Sequence, residues 1–202
     1  MRVDVWSDLV CPWCAIGKAH FGAALQRFEH ADQVEVVWRS FELDPGAPLS
    51  RDGAYDALLA AKYGTSPAGG KAMVGRLSAA AELAGIDAHR LLHLAKDHGR
   101  QEALNSRLMT AYLAEGLLLS DHAVLEQLAV ETGLPADEVR TVLAGSTYAD
   151  QVRDDEAEAG RREVTSVPTF LVDGRLVIAG AQSADSMLAS LRRAWDKRPA
   201  RA

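Results

Sequence analysis

The chain has 202 residues and a net charge of −6, with 28 acidic against 22 basic side chains. That balance argues against a general nucleic-acid binder, which needs a basic face. The 48% apolar content supports a packed core rather than wholesale disorder. No apolar run reaches the roughly 18–20 residues that span a bilayer, so no membrane partner is expected.

Val3-Asp4-Val5-Trp6 reads as a strand, and Ala15 to Phe28 reads as a helix. Between them lies Cys11-Pro12-Trp13-Cys14, which holds the chain's 2 cysteines. Val34 to Phe41 is rich in β-branched and aromatic residues and predicts a second strand. Asp44-Pro45-Gly46-Ala47-Pro48 then breaks the chain into a loop. From Ser50 to Arg162 the apolar residues fall at helical spacing, as in Leu91, Leu92, Leu94 and Ala95. The same holds for Leu104, Leu108, Met109, Tyr112 and Leu113, and for Val124, Leu125, Leu128 and Ala129. Ser120 and Asp121 are N-cap candidates, and Gly133-Leu134-Pro135 separates two helices. Strand signals return at Thr169–Val172 and Arg175–Ile178, with Asp173-Gly174 as a two-residue turn between them. Gly180 ends the second of these strands. Ser183 caps a last helix whose buried face carries Met187, Leu188, Leu191 and Trp195, and Pro199 stops it.

The order predicts an α/β protein: a mixed sheet with flanking helices carrying a large all-helical insertion. Residues 1–49 and 163–202 form the discontinuous sheet domain, and residues 50–162 form the insertion. Met1 runs straight into the first strand without a basic, apolar leader, which predicts a cytoplasmic protein. In that reducing compartment a disulfide is more often catalytic than structural.

Two cysteines separated by two residues, between a strand and a helix, have the layout of a thiol–disulfide catalyst. The nucleophile is the thiolate, and a free cysteine near pKa 8.5 needs help to form it. Cys11 sits at the helix start, where unpaired N–H groups and the dipole favour negative charge. Pro12 suits the first helical position. Cys11 is therefore the attacking thiol and Cys14, about one turn further in, the resolving thiol. Trp13, fixed between two reactive thiols, is expected to turn its ring to substrate. Asp8, three residues before Cys11, is a modulator that caps the helix or takes a proton near the thiols; capping and loop chemistry is the favoured role. Lys18 could add positive potential, although a solvated, snorkelling lysine is the favoured reading.

Beyond the thiol pair, Ser166-Val167-Pro168-Thr169-Phe170 places a proline at a strand entry. Together the segments resemble the thioredoxin-fold family that includes DsbA, and within it the cytoplasmic FrnE-type branch. The likeness rests on residues 8–18, on Phe41-Glu42-Leu43-Asp44-Pro45 and on Asp87-Ala88-His89-Arg90-Leu91. Ser166 to Phe170 and Gly180-Ala181-Gln182 complete it. The resemblance implies a thioredoxin-like fold and a redox-active Cys11–Cys14 disulfide with no other cofactor. It implies that Pro168 is cis beside the cysteines and that the backbone of Val167 binds an extended substrate strand. The partners would be protein or small-molecule thiols and disulfides, with glutathione as one candidate substrate; a homodimer stays open. Strong oxidants of the family carry Pro-His between the cysteines. Trp13 supplies no such charge, so a weaker oxidant is expected, well removed from about −120 mV. The segment Glu82–Ile86 is shorter than in FrnE-type relatives, which would alter the substrate groove.

Two other readings stay open. A glutathione-dependent isomerase or transferase, resembling 2-hydroxychromene-2-carboxylate isomerase, fits the helical insertion but not the intact thiol pair. A peptide-binding chaperone or zinc module is the non-enzymatic alternative. His89 and His93 stand four apart on one helix face, but no acidic or cysteine partner recurs at ligand spacing, and no metal is expected. They read as surface or packing histidines. Trp6, Trp38 and Trp195 read as core. The acidic run Asp154, Asp155, Glu156, Glu158 and Glu163 reads as a solvated helix face, as do the scattered Arg and Lys residues after Gly160.

Overall fold

The computed structural model describes residues 1–43 and 86–198. The loop expected at Asp44–Pro48, the insertion's first part from Ser50, bridging residues 82–85 and the stop at Pro199 lie outside them. The chain divides into two compact units: Met1–Leu43 with Val152–Ala202, and Asp44–Gln151.

The first unit is built on a four-stranded sheet in the order β2-β1-β3-β4. Its strands are β1 (Arg2–Ser7), β2 (Glu35–Ser40), β3 (Thr169–Val172) and β4 (Leu176–Ala179). β1 runs parallel to β2 and antiparallel to β3, and β3 is antiparallel to β4, which gives the mixed sheet expected. The β1–β2 connection contains helix α1 (Pro12–Gln26), as a parallel pair requires. The last helix, α7 (Ala184–Asp196 by chain order), begins at Ser183, whose Oγ accepts from the Ser186 N–H.

Period-two alternation along β1 sends its residues to two faces. Val3 and Val5 join Phe21, Phe28, Trp38, Phe170, Met187 and Leu191 in one core beneath α1 and α7. The Phe21 and Phe170 rings lie 5.1 Å apart. Asp4 and Trp6 face the other way. There the Trp6 indole N–H donates to the Asp155 carbonyl at 2.9 Å, and Arg39 bridges Asp4 (2.8 Å) and Asp155 (2.7 Å). The Ser40 N–H donates to the second Asp155 oxygen at 3.0 Å. Asp155 is therefore buried, with 2% exposure, and is not part of a solvated acidic face as the sequence suggested. These bonds tie the segment around Asp155 to the sheet, and the sheet unit resumes at Val152, whereas the sequence reading carried the insertion to residue 162.

Between β3 and β4, Asp173 and Gly174 both have positive φ, at 47° and 68°, as the tight turn requires. Val172 pairs with Leu176, however, so Arg175 is an extra residue in the connection. Trp6 and Trp38 are core as expected, at 1% and 4% exposure. Trp195 is partly buried, stacked on His30 at 4.0 Å.

The second unit, as far as it is described, is entirely helical. Helices α2 (Ile86–Asp97), α3 (Gln101–Leu113), α4 (His122–Glu131) and α5 (Ala136–Ala144) lead into α6 (Ala149–Arg161), whose end belongs to the sheet unit. Asp121 caps α4 by accepting from the Ala123 and Val124 N–H groups. Arg90 on α2 is 4% exposed and spends its guanidinium on the end of α5. Its Nε donates to the Thr147 carbonyl at 2.8 Å and its Nη2 to the carbonyls of Gly145 (2.7 Å) and Val142. Asp87 neutralises it at 2.6 Å. The Asp-Ala-His-Arg-Leu segment thus closes the C-terminus of a neighbouring helix, where orphan carbonyls and a negative dipole favour a cation. His89 is fully buried and His93 nearly so, which places both in helix packing rather than at the surface. No described helix is long and apolar enough to cross a membrane.

Candidate active site

Cys11 is the N-cap of α1, with extended backbone (φ −86°, ψ 115°), and Pro12 occupies the first turn. Its carbonyl accepts the N–H groups of Cys14 (3.0 Å) and Ala15 (3.2 Å), which locks the four-residue loop onto the helix. Both cysteines carry free thiols. Cys14 is fully buried and Cys11 is 6% exposed.

The two thiols are driven apart in acidity. The Cys11 thiol is lowered to about 7, chiefly because the Cys14 side chain hydrogen-bonds to it. Burial opposes that effect, and the backbone of Cys14 and Trp13 reinforces it. Cys14 is pushed up, first by the same bond to Cys11 and then by burial. A thiol near 7 is substantially ionised at neutral pH, while its partner holds its proton.

Asp8 lies under this loop with 3% exposure. It does not cap α1 by its side chain. One carboxylate oxygen accepts from the Val10 N–H at 3.0 Å, and the other accepts from the Leu43 N–H at 2.8 Å. The loop role expected of it is present, and the tie to the chain leaving β2 is an addition that only the fold supplies. Burial raises its carboxyl to about 6 against those two bonds, with Glu156 adding to the rise.

Lys18 is half-buried. Its ammonium sits 4.3 Å from the centroid of the Trp38 ring. Trp13, by contrast, is 50% exposed, and Ile16 one turn later is 40% exposed. Leu43, held by Asp8, is 47% exposed. Sequence reasoning singled out Trp13 and missed Ile16 and Leu43. Their signal was weak, because one exposed aliphatic residue is unremarkable until its neighbours are known.

The Val167–Pro168 bond is cis. Val167 is 8% exposed, and the Pro168 carbonyl accepts the Gly180 N–H at 2.8 Å. The Pro168 ring packs on α1 at Gly17, one turn beyond Cys14. A Cβ at Gly17 would stand 2.5 Å from Pro168 Cγ and 3.5 Å from the Ala181 Cα. Next along that side of α1, His20 Nδ1 lies 2.8 Å from the Gln182 carbonyl. Gly17 is a close-packing position that sequence reasoning did not single out. The available signal was a glycine inside a helix, which costs about 1 kcal/mol against alanine and so asks for a packing reason. Among the described residues no group of three or more His, Cys, Asp or Glu side chains is arranged to hold a metal ion.

A thiol pair at a helix start, with a cis-proline packed on the same helix over a mixed sheet, defines a protein of the thioredoxin-like class. Residues 2–192 match the DSBA-like thioredoxin domain, and the chain belongs to that family. It is 30% identical over 193 residues to YwbO of Bacillus subtilis (strain 168), an uncharacterized protein, covering 92% of each chain. It is similar to a probable DsbA oxidoreductase, SCO1869 from Streptomyces coelicolor. That structure is 42% identical with a TM-score of 0.89, covering 100% of this chain and 93% of the other. The cytosolic disulfide reductase DsbM from Pseudomonas aeruginosa shares the fold at 20% identity and a TM-score of 0.70, covering 98% of this chain and 100% of that one. DsbM has also been solved with GSH.

Proposed function

We propose that the chain is a cytoplasmic dithiol–disulfide oxidoreductase that works through Cys11 and Cys14. The observation that carries this reading is the thiol pair at a helix start, Cys11 as the N-cap of α1 with Cys14 buried within the first turn, and the pair's acidity splits in the direction exchange needs. In the reducing direction the Cys11 thiolate attacks one sulfur of a substrate disulfide. The substrate S–S bond breaks, and its leaving sulfur departs as a thiolate and takes up a proton. Cys14 then loses its proton and attacks the Cys11 sulfur of the mixed disulfide. That bond breaks, the second substrate thiol leaves, and the enzyme is left as the Cys11–Cys14 disulfide. The two electrons have moved to the substrate, and the reverse sequence oxidises a dithiol. Asp8, buried three residues before Cys11 with its carboxyl raised to about 6, is our proposed acceptor of the Cys14 proton in the second step.

Trp13, Ile16 and Leu43 give the thiol end of the sheet an apolar surface for substrate. The Val167 backbone beside Pro168 is its strand-docking edge. Glutathione, present in the DsbM structure, is a reductant of suitable chemistry for resetting the pair. Within the family we place the chain in the FrnE-type branch, on the segments around Cys11, Phe41, Asp87, Pro168 and Gly180 that carry the likeness.

Replacing Cys14 with Ser is expected to accumulate a mixed disulfide on Cys11, visible by mass spectrometry, while Cys11→Ser stops exchange altogether. Full turnover by Cys11→Ser would sink the proposal. The pair is expected to be less oxidising than DsbA. A glutathione redox titration that returned about −120 mV would overturn that expectation.

A further inference from the structure

The Arg and Lys residues after Gly160 are not scattered once the chain is folded. Arg161 and Arg162 pair with Glu158, and Arg192 pairs with Glu29. The next group behaves differently. Arg175, Arg193, Lys197 and Arg198 line one cleft of about 530 Å³ between the β3–β4 turn and the end of α7.

Among the described residues the cleft has one acidic lining residue, Asp173. Its charge is already used: one oxygen accepts the Arg2 N–H at 2.8 Å, and the other meets Arg198 at 3.3 Å. Arg198 is pinned further by the Trp195 ring, 4.6 Å below its guanidinium carbon. No ion pair holds Arg175, Arg193 or Lys197 among the described residues. Val172, Leu176 and Ala194 give the cleft an apolar side. Like charges gathered without partners repel, which favours filling the space with an anion.

The cleft is remote from the thiols. β1 enters the sheet at Arg2 beside the cleft and leaves at Ser7 toward Cys11, a rise of about 17 Å. A ligand there does not touch the reacting sulfurs.

We propose that this cleft binds a small polyanion with two linked phosphates. Guanidinium forks match phosphate oxygens in pairs. A diphosphate carries about three negative charges at neutral pH in a compact group, against three unpaired cations. The volume exceeds what the phosphates fill and leaves room for an organic body against the apolar side.

The test is calorimetric titration of the full chain with ADP and, separately, with inorganic pyrophosphate, at about 150 mM salt to suppress diffuse attraction. One saturable site per chain is expected. An Arg175→Gln/Arg193→Gln variant is expected to weaken it by about tenfold or more, because it removes two charged forks. Disulfide exchange at Cys11 is expected to be unchanged in that variant. Preference for ADP identifies a nucleotide as the source, and equal binding of both probes identifies the diphosphate alone. Either result supports the site. Absence of saturable binding by both probes, or binding unchanged in the double variant, overturns it.

Discussion

At the scale of single residues, Asp8 and Gly17 do the most for the thiol loop without being thiols. Asp8 joins Val10 to Leu43 through one buried carboxylate. Its carboxyl is raised to about 6, so the folded chain binds a proton there more tightly than the unfolded chain does. Stability from this group is therefore fully present below about pH 4 and is lost as pH rises through about 6. Two pKa units correspond to an effect on the order of 3 kcal/mol. Urea melts from pH 4 to 7 should show the stability of the parent falling relative to Asp8→Asn across that window. A constant difference would show that Asp8 titrates normally. Gly17 faces a different constraint. Alanine there would gain about 1 kcal/mol of helix propensity but must overpack the Pro168 ring, at a cost of roughly 1–3 kcal/mol. The ring and the Ala181 backbone have little room to yield, so the clash wins. Gly17→Ala is expected to lose stability and to slow turnover of protein disulfides several-fold, while Cys11 alkylation by a small reagent keeps its rate. Parental turnover in that variant would remove Gly17 from any positioning role.

At the scale of elements, burial changed the meaning of two charged segments. Four acidic residues fall between Asp154 and Glu158, yet Asp155 is an internal fastener that takes Arg39, the Ser40 N–H and, through its carbonyl, Trp6. Arg90 plays the matching part in the helical unit. It satisfies three carbonyls at and beyond the end of α5 while Asp87 balances its charge. Lysine cannot reproduce a fork of this kind. Arg90→Lys should therefore leave buried carbonyls unpaired and lower unfolding stability by on the order of 3 kcal/mol, read from the urea midpoint. A midpoint equal to the parent's would show that water replaces the guanidinium. The helices themselves were legible beforehand from apolar spacing, the Asp121 and Ser183 caps and the Gly133–Pro135 break, because those signals are local. The Asp173-Gly174 turn was legible for the same reason, although the extra residue at Arg175 was not.

At the scale of the whole molecule, the sheet is assembled from the two ends of the chain. β1 pairs with β3 through Val3–Val172, Asp4–Leu171, Val5–Phe170 and Trp6–Thr169. This pairing carries the cis Val167–Pro168 segment to the helix that starts at Cys11. The amino-acid sequence by itself determined the thiol pair at a strand–helix junction, the strands and helices around it, and the family resemblance. All of these are properties of short segments. Tertiary structure alone decided which charges are buried and what they meet. It set Lys18 over Trp38, Asp8 between Val10 and Leu43, Asp155 under the sheet, and four C-terminal cations around one cleft. Those outcomes depend on contacts between residues far apart in the chain, and solvent exclusion exists only once these residues pack together.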